Sequence, residues 1–323
     1  MDRRPVELSV VVPLYNEEQV LPETYKRLKQ VLDSTREPYE IIFVDDGSRD
    51  RTLDLAREFC QTDENIKLLS FSRNFGHQIA ITAGMDHSCG SAVVVIDADL
   101  QDPPEVIPAM IEKWRQGFDV VYGRRAERKG ETFFKKLTAK LFYKLLHGLS
   151  EVDVPLDAGD FRLLDRKACD ALKSLPERNR YVRGLASWIG FKQTGIEFVR
   201  EERFAGETKY PLRKMLKLAA DGITSFSYKP LKLAGYLGTV MILASGLYLL
   251  YALGARLFAG FAAPGWDWLA AVGLFGNGVT LAAIAILGEY IGRIADEAKA
   301  RPLYILKEKM GYDVHAKLRA RTR

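Results

Sequence analysis

Cysteine and histidine are scarce in this chain of 323 residues, which holds only Cys60, Cys89 and Cys169 of the first and His77, His87, His147 and His315 of the second. No pair of cysteines has C-x-x-C spacing and the histidines share no spacing, which argues against a zinc site or a disulfide framework and fits a reducing compartment. The histidines are assigned no chemistry. A glycine-rich G-x-G-x-x-G after the first strand is missing, as is a G-x-x-x-x-G-K-[ST] loop. Neither a dinucleotide-binding domain nor a P-loop enzyme is therefore expected. There is no internal repeat and no low-complexity tract. The start, "MDRRPVELSVVVPLYNEE", has too short an apolar run for a signal peptide and no small-residue cleavage site, so the N-terminal part is expected in the cytoplasm. A composition of 47% hydrophobic and 28% charged residues argues against wholesale disorder. The length allows one generous domain or two smaller ones. The net charge of +5 gains meaning only from its placement along the chain.

Residues 7–123 alternate regularly between short β-branched runs ("ELSVVVPLY", "YEIIFVDD", "IKLLSFS", "SAVVVIDAD", "DVVYG") and stretches of helical spacing. In "RTLDLAREFCQT", Leu53, Leu55, Ala56 and Phe59 form an apolar stripe near period 3.6. Strands apolar on both faces that alternate with helices read as a parallel sheet covered on both sides, an α/β fold. Ligands of such sheets bind beyond the carboxyl ends of the strands. Those ends are polar here: Tyr15-Asn16-Glu17, Asp45-Asp46-Gly47-Ser48 and Asp97-Ala98-Asp99. Several carboxylates are thereby expected on one edge. Gly47 reads as a turn glycine with Ser48 or Asp50 as a helix N-cap. "QDPPEVIP" reads as a helix start with proline in its first turn, which gives Asp102 a structural role.

From about Leu231 the composition changes. Leu233–Leu253 is uncharged, and Trp268–Leu287 is interrupted mainly by Asn277. Each run is about 30 Å long as a helix, the thickness of a bilayer core. Aromatic residues near the ends (Tyr236, Tyr251, Trp266, Trp268, Tyr290) favour membrane spans over a pair of buried core helices. Lys209, Arg213, Lys214, Lys217, Lys229 and Lys232 precede the first run, Arg293, Lys299 and Arg301 follow the second, and the link holds only Arg256 and Asp267. The positive-inside rule then expects a hairpin with both termini and the α/β domain in the cytoplasm. "YPLRKMLKLAADGITSFSYKP" reads as a basic amphipathic helix, on the membrane surface or packed on the domain.

Carboxylates one residue apart at a strand tip suit a hard cation, Mg²⁺ or Mn²⁺, which takes carboxylate oxygens together with ligand phosphates. Gln101 could add a neutral oxygen. Such a metal can bridge a diphosphate and neutralise its charge as it leaves.

"SVVVPLYNEE", "VDDGSRDRT" and "DADLQDPPEVIP", in this order, resemble the GT-A glycosyltransferases of family 2. "SRNFGHQIAITAGMD", "DAGDFRLLDRKACDAL", "ERNRYVRGLASWIGFKQ", "FAGETKYPLRKM" and "LGEYIGRIADEAKARPLYI" look like its polyprenyl-phosphate branch, most of all the bactoprenol (undecaprenyl-phosphate) glucosyltransferases. The resemblance covers residues 6 to about 306. The Q-x-x-R-W segment of processive polysaccharide synthases is absent.

The resemblance implies a GT-A (Rossmann-like), mostly parallel sheet domain over 1–208, a juxtamembrane amphipathic region over 209–230, a transmembrane hairpin over 231–292 and a cytoplasmic C-terminal segment over 293–323. It implies that Pro13, Tyr15, Glu17, Asp45 and Asp46 hold the nucleoside end of a nucleotide sugar. Asp97 would lie by the ribose and metal, with Asp99 and Gln101 ligating the ion. Arg203 and Lys209 would close over the phosphates, and Arg124, Lys136 and Thr138 would hold the acceptor phosphate, with Lys135 competing with Lys136 for that role, although the basic run 122–140 also reads as a solvated face. The implied reaction is inverting transfer of glucose from UDP-glucose to undecaprenyl phosphate, with Asp160 as base or as orienting residue and Asp157 capping a turn. The implied place is a bacterial inner membrane, as a tetramer, for O-antigen or similar lipopolysaccharide modification. The alternatives are another donor (GDP-mannose or a UDP-aminoarabinose derivative) or a nonenzymatic membrane-anchored sugar-nucleotide sensor. No nucleic-acid partner is expected.

Overall fold

The computed structural model describes residues 5–125, 158–200, 229–258 and 266–312. These fall into two compact units, one of 5–125, 158–200 and 302–312, the other of 229–258 and 266–301.

The first unit begins with the expected alternation. It runs β1 (Leu8–Leu14), α1 (Leu21–Thr35), β2 (Tyr39–Asp45), α2 (Thr52–Thr62), β3 (Ile66–Phe71), α3 (His77–His87) and β4 (Ala92–Val95). A 3₁₀ turn at Pro104–Val106 then leads into α4 (Ile107–Arg115), followed by β5 (Val120–Arg125). Every residue of β1, β2 and β4 is buried, because helices cover both faces. α1 has Pro22 in its first turn and turns Leu21, Thr24, Leu28, Val31 and Leu32 inward at helical spacing. Fully buried Leu28 and Leu32 contribute about 2 kcal/mol each by burial. α3 lies close on β1, since a Cβ at Gly84 would come within 2.1 Å of Val11 Cγ1.

β6 (Ala158–Asp165), α5 (Arg166–Ser174), α6 (Val182–Trp188) and β7 (Gln193–Phe198) complete the middle of the chain. The sheet order is β7-β5-β6-β4-β1-β2-β3-β8, where β8 (Leu306–Met310) is the last element. β1, β2, β3 and β4 are parallel, and β5 pairs parallel with β7, while β6 and β8 run antiparallel to their neighbours. β8 was not foreseen from the sequence. It is fastened by Glu308, which accepts from Arg57 Nη2 at 2.7 Å, and by Tyr304, which stacks on Phe71 and donates to Asp86 Oδ2 at 3.1 Å.

The second unit holds α7 (Lys229–Phe258) and α8 (Trp266–Ala298). The two meet near Gly276, where an added Cβ would lie at ordinary contact distance, 3.5 Å, from Met241 Cε. Large apolar side chains such as Leu247 and Phe275 are about two-thirds exposed. Among the described residues one helical stretch, Phe275–Ala298, is long and apolar enough to cross a membrane, and Ala234–Tyr248 is a shorter apolar stretch. Arg203, Lys209, Lys136, Thr138, Asp157 and the expected juxtamembrane helix lie outside the described residues.

Candidate active site

The strand order reverses at β1, which has β2 on one side and β4 on the other. Ligands of open α/β sheets bind in the crevice at such a point, beyond the carboxyl ends of the strands. The β1–β4 ladder stops at Val11 and Val95. Val11 O accepts from Ile96 N at 3.1 Å and Leu14 O from Asp46 N at 2.9 Å, so alternation turns Pro13 toward β4. Its missing N–H falls where the ladder has ended and costs no strand bond. The crevice opens there.

Asp97-Ala98-Asp99 follows β4 directly into this crevice. Thr24 Oγ1 donates to Ala98 O at 2.7 Å, and Asp99 Oδ1 accepts from Gln101 N at 3.1 Å. Leu100 adopts φ 59°, a left-handed backbone that a leucine rarely takes and that costs about 1–3 kcal/mol. Strain of this size is tolerated where the surroundings over-determine the turn, and here they do.

β6 brings in the partner. Its antiparallel register with β4 pairs Ala92 with Asp165 and Val95 with Arg162. Continuing that register sets Asp160 opposite Asp97. Asp160 is 3% exposed and accepts from Arg183 twice, Nε to Oδ1 at 2.8 Å and Nη2 to Oδ2 at 2.9 Å. Oδ2 also accepts from Gln78 Nε2 at 3.1 Å and lies 3.3 Å from His77 Nε2. His77 Nε2 is 3.4 Å from Asp97 Oδ1, so one imidazole bridges two carboxylates. Gln78 Oε1 in turn accepts from Val182 N at 2.9 Å, tying α3 to the start of α6.

On the β2 side, Asp45 accepts from Ser48 N at 3.1 Å and from Ser70 Oγ at 3.0 Å. Asp46 accepts from Phe75 N at 2.6 Å and Gly76 N at 2.9 Å, capping the entry to α3. Gly47 has φ 70°, and a Cβ there would lie 2.7 Å from the Arg73 backbone, so the turn glycine serves both backbone shape and close approach. The N-cap residue of α2 is Arg51, with no capping side chain, so neither Ser48 nor Asp50 holds the expected N-cap position; Asp50, one residue earlier, accepts from Thr52 N at 3.0 Å. Tyr15 and Glu17 are half-buried at the end of β1, with Glu17 N donating to Thr52 Oγ1 at 2.7 Å. Arg124, exposed at the carboxyl end of β5, reaches the same edge 3.8 Å from Glu197. Gln101 Oε1 accepts from Arg200 Nη2 at 2.5 Å, a bond it would exchange to reach a cation.

The electrostatics divide the two facing carboxylates. Burial pushes Asp97 up to about 6, His77 opposes it, and Asp160, Asp99 and Asp102 add to it. Burial would also raise Asp160, but the Arg183 guanidinium and the His77 contact outweigh it and hold that carboxyl well below the usual range. Burial alone would lower His77, yet Asp97 and Asp160 push it up to about 9. Asp97 Oδ1 is buried without a hydrogen bond. A buried carboxylate oxygen of this kind, crowded by other carboxylates, fits a cation ligand. Among the described residues no group of three or more His, Cys, Asp or Glu side chains could hold a metal ion.

The structure thus brings together Pro13, Tyr15, Glu17, Asp45, Asp46, Asp97, Asp99, Gln101, Arg124 and Asp160 on one sheet edge. Sequence reasoning missed His77, Gln78, Arg183 and Arg200. His77 and Arg183 lie 83 and 23 positions from Asp160, and no local spacing marks them.

A doubly wound sheet with an acidic switch point and no dinucleotide fingerprint defines an α/β protein with its candidate ligand edge at the carboxyl ends of the strands. Residues 9–173 match the family described as glycosyl transferase family 2. An uncharacterized glycosyltransferase, YkcC, of Bacillus subtilis is 58% identical over 310 residues, covering 96% of each chain. The bactoprenol glucosyl transferase of Shigella phage SfV is 42% identical over 302 residues, 94% of this chain and 98% of its own. A prophage bactoprenol glucosyl transferase homolog of Escherichia coli is 41% identical, over 94% of this chain and 99% of its own. The chain belongs to glycosyl transferase family 2 and is a glycosyltransferase.

Proposed function

We propose that the protein transfers glucose from UDP-glucose to undecaprenyl (polyprenyl) phosphate at the cytoplasmic face of a bacterial inner membrane, inverting the anomeric carbon in one displacement. The observation that carries the reading is the Asp97-Ala98-Asp99 turn at the switch point, with Asp97 Oδ1 buried and lacking a hydrogen bond. The lipid acceptor and the glucose rest on relatives named bactoprenol glucosyl transferase that align along almost the whole chain.

In this reading Pro13, Tyr15, Glu17, Asp45 and Asp46 line the nucleoside side, and Asp97, Asp99 and Gln101 hold Mg²⁺ or Mn²⁺. The ion, when bound, would neutralise charge gathering on the departing diphosphate. Arg203 and Lys209 close over the phosphates, while Arg124, Lys136 and Thr138 receive the acceptor. An alkyl phosphate has a second pKa near 6, so the attacking oxygen is largely ionised at neutral pH and needs little help from a base. Asp160, already ionised and fully occupied by Arg183 and Gln78, suits orientation better than proton removal.

The acceptor's long isoprenoid calls for a membrane-held enzyme. We assign spans to about 233–253 and 268–287 within a hairpin of 231–292, a surface helix to 209–230, the catalytic domain to 1–208 and a cytoplasmic segment to 293–323. Lysine and arginine flanking the hairpin put both termini in the cytoplasm, and the exposed apolar faces of α7 and α8 agree with lipid contact. Assembly as a tetramer, through glycines 273, 276 and 278 and Asn277, completes the proposal.

The test is sugar transfer by purified, detergent-solubilised protein to undecaprenyl phosphate with Mg²⁺ or Mn²⁺. Donors are labelled UDP-glucose, UDP-galactose, UDP-GlcNAc and GDP-mannose, with Asp99→Ala as control. Metal-dependent labelling from UDP-glucose is expected. Labelling from GDP-mannose alone would replace the sugar and keep the reaction. Folded protein that binds UDP and labels no lipid would sink the transfer reading.

A further inference from the structure

Asp160 is the most heavily bonded carboxylate at the site, yet little of that bonding is explained by binding a substrate. Its two oxygens take both arms of Arg183 in a fork and one amide hydrogen of Gln78. Its Oδ2 then meets His77, whose same nitrogen faces Asp97. Four elements contribute: the end of β4, the start of β6 and the first turns of α3 and α6. A fork–fork guanidinium pair fixes direction as well as charge. Asp97, by contrast, has a buried oxygen with no hydrogen bond of its own, and its neighbour on that side is His77.

We propose that Arg183 is a positioning residue for Asp97, acting through Asp160 and His77: the Arg183 fork aims Asp160, Asp160 holds the imidazole, and the imidazole sets the direction in which Asp97 presents its carboxylate to a metal–nucleotide. The inference rests on the glycosyltransferase reading of this edge. Groups behind a ligating carboxylate orient it, and their loss costs about 10–100-fold in metal affinity or activity. Gln78 belongs to the same unit, because it bonds Asp160 with one end of its amide and the α6 backbone with the other.

The experiment uses full-length protein in detergent and the variants Arg183→Lys, Asp160→Asn, their double, and Glu40→Gln, which lies at the amino ends of the strands. Three quantities are read: thermal unfolding, Mn²⁺-dependent UDP binding by calorimetry, and kcat and KM for transfer. Arg183→Lys keeps the charge and loses the fork. It is expected to weaken Mn²⁺-dependent UDP binding about tenfold or more and to lower kcat similarly, with a Tm no lower than that of Glu40→Gln. In the Asp160→Asn background the same change is expected to move binding and kcat by less than about twofold, since its route is gone.

Wild-type behaviour of Arg183→Lys would overturn the proposal. So would an equal loss in both backgrounds, which would mean direct action on substrate, or a loss in Glu40→Gln that tracks Tm as closely. Should Arg183→Lys not fold, Gln78→Met removes one donor from the same carboxylate and is expected to weaken binding about threefold, again only with Asp160 intact. Wild-type protein that transfers to no lipid, while its metal-dependent UDP binding follows Arg183 in this way, sinks the lipid-transfer reading and upholds the positioning role. Wild-type protein that binds no UDP with Mn²⁺ overturns both.

Discussion

The two ends of the parallel strands both bury acidic side chains, and they treat them in opposite ways. At the amino ends, Glu40 is 2% exposed, accepts from Ser9 Oγ at 2.5 Å and from Cys89 N at 2.9 Å, and forms an ion pair with Lys67. Burial would raise its carboxyl, but Lys67, Ser9 and the Cys89 N–H together lower it. At the carboxyl ends, Asp97 is pushed up to about 6 by burial and by neighbouring carboxylates. A carboxylate met by several donors is a fastening, whereas Asp97, crowded by carboxylates and faced by His77 alone, keeps a buried oxygen without a hydrogen bond that suits a ligand. Asp160 stands on the active edge yet is bonded like Glu40, which is why we give it a supporting role.

The comparison can be broken most severely at Asp99. Asp99→Ala is expected to cut transfer by about 100-fold or more and to change stability by no more than about 1 kcal/mol, because relief of like charge beside Asp97 offsets the lost turn bond from Gln101 N. A matching loss of Tm in thermal unfolding would make Asp99 a fastening too. Glu40→Ala should do the reverse. It leaves Lys67 and the buried Ser9 hydroxyl without their carboxylate, at a cost of about 3 kcal/mol in denaturant unfolding, with kcat of the folded fraction intact.

Smaller in effect is Gly47→Ala, about 1–3 kcal/mol, because its Cβ would meet the Arg73 backbone and its φ is positive. The turn supports the nucleoside side, so UDP binding should weaken along with stability, and calorimetry that finds UDP affinity untouched would contradict that placement. The smallest effect is in pH. A carboxyl lowered in the folded state stabilises above its unfolded value, near 4.3, and that gain is lost as pH falls through the folded value. Wild-type Tm should therefore drop more steeply than that of Glu40→Gln below about pH 4.3, with parallel curves above it. Parallel curves throughout would remove Glu40 from the fastening class.

Much of the catalytic unit could be read from local pattern. The apolar runs that became β1 to β5 were visible because strands buried on both faces need unbroken hydrophobic residues. The Asp97-Ala98-Asp99 tip stood out because such a run ended in charge. β6 and β7 were less legible: "AGDFRLLD" interleaves charges, and the buried Arg162 only makes sense beside its neighbours. β8 hid behind "LKEKM", whose lysines point outward while Glu308 is held by Arg57, some 251 positions earlier. Its polar composition suits an edge strand, where lysine discourages further pairing.

The amino-acid sequence by itself determined the alternation of strands and helices from β1 to β5, where the carboxylates end those strands, and which later stretches are long and apolar. Those properties depend on periods of two and 3.6 residues and on the chemistry of neighbours along the chain. Only the tertiary structure decided that Asp160 faces Asp97, that His77 stands between them and that Arg183 holds the arrangement. Such meetings follow from sheet order and antiparallel register, which are settled by how distant segments pack together and leave no mark in the spacing of either one.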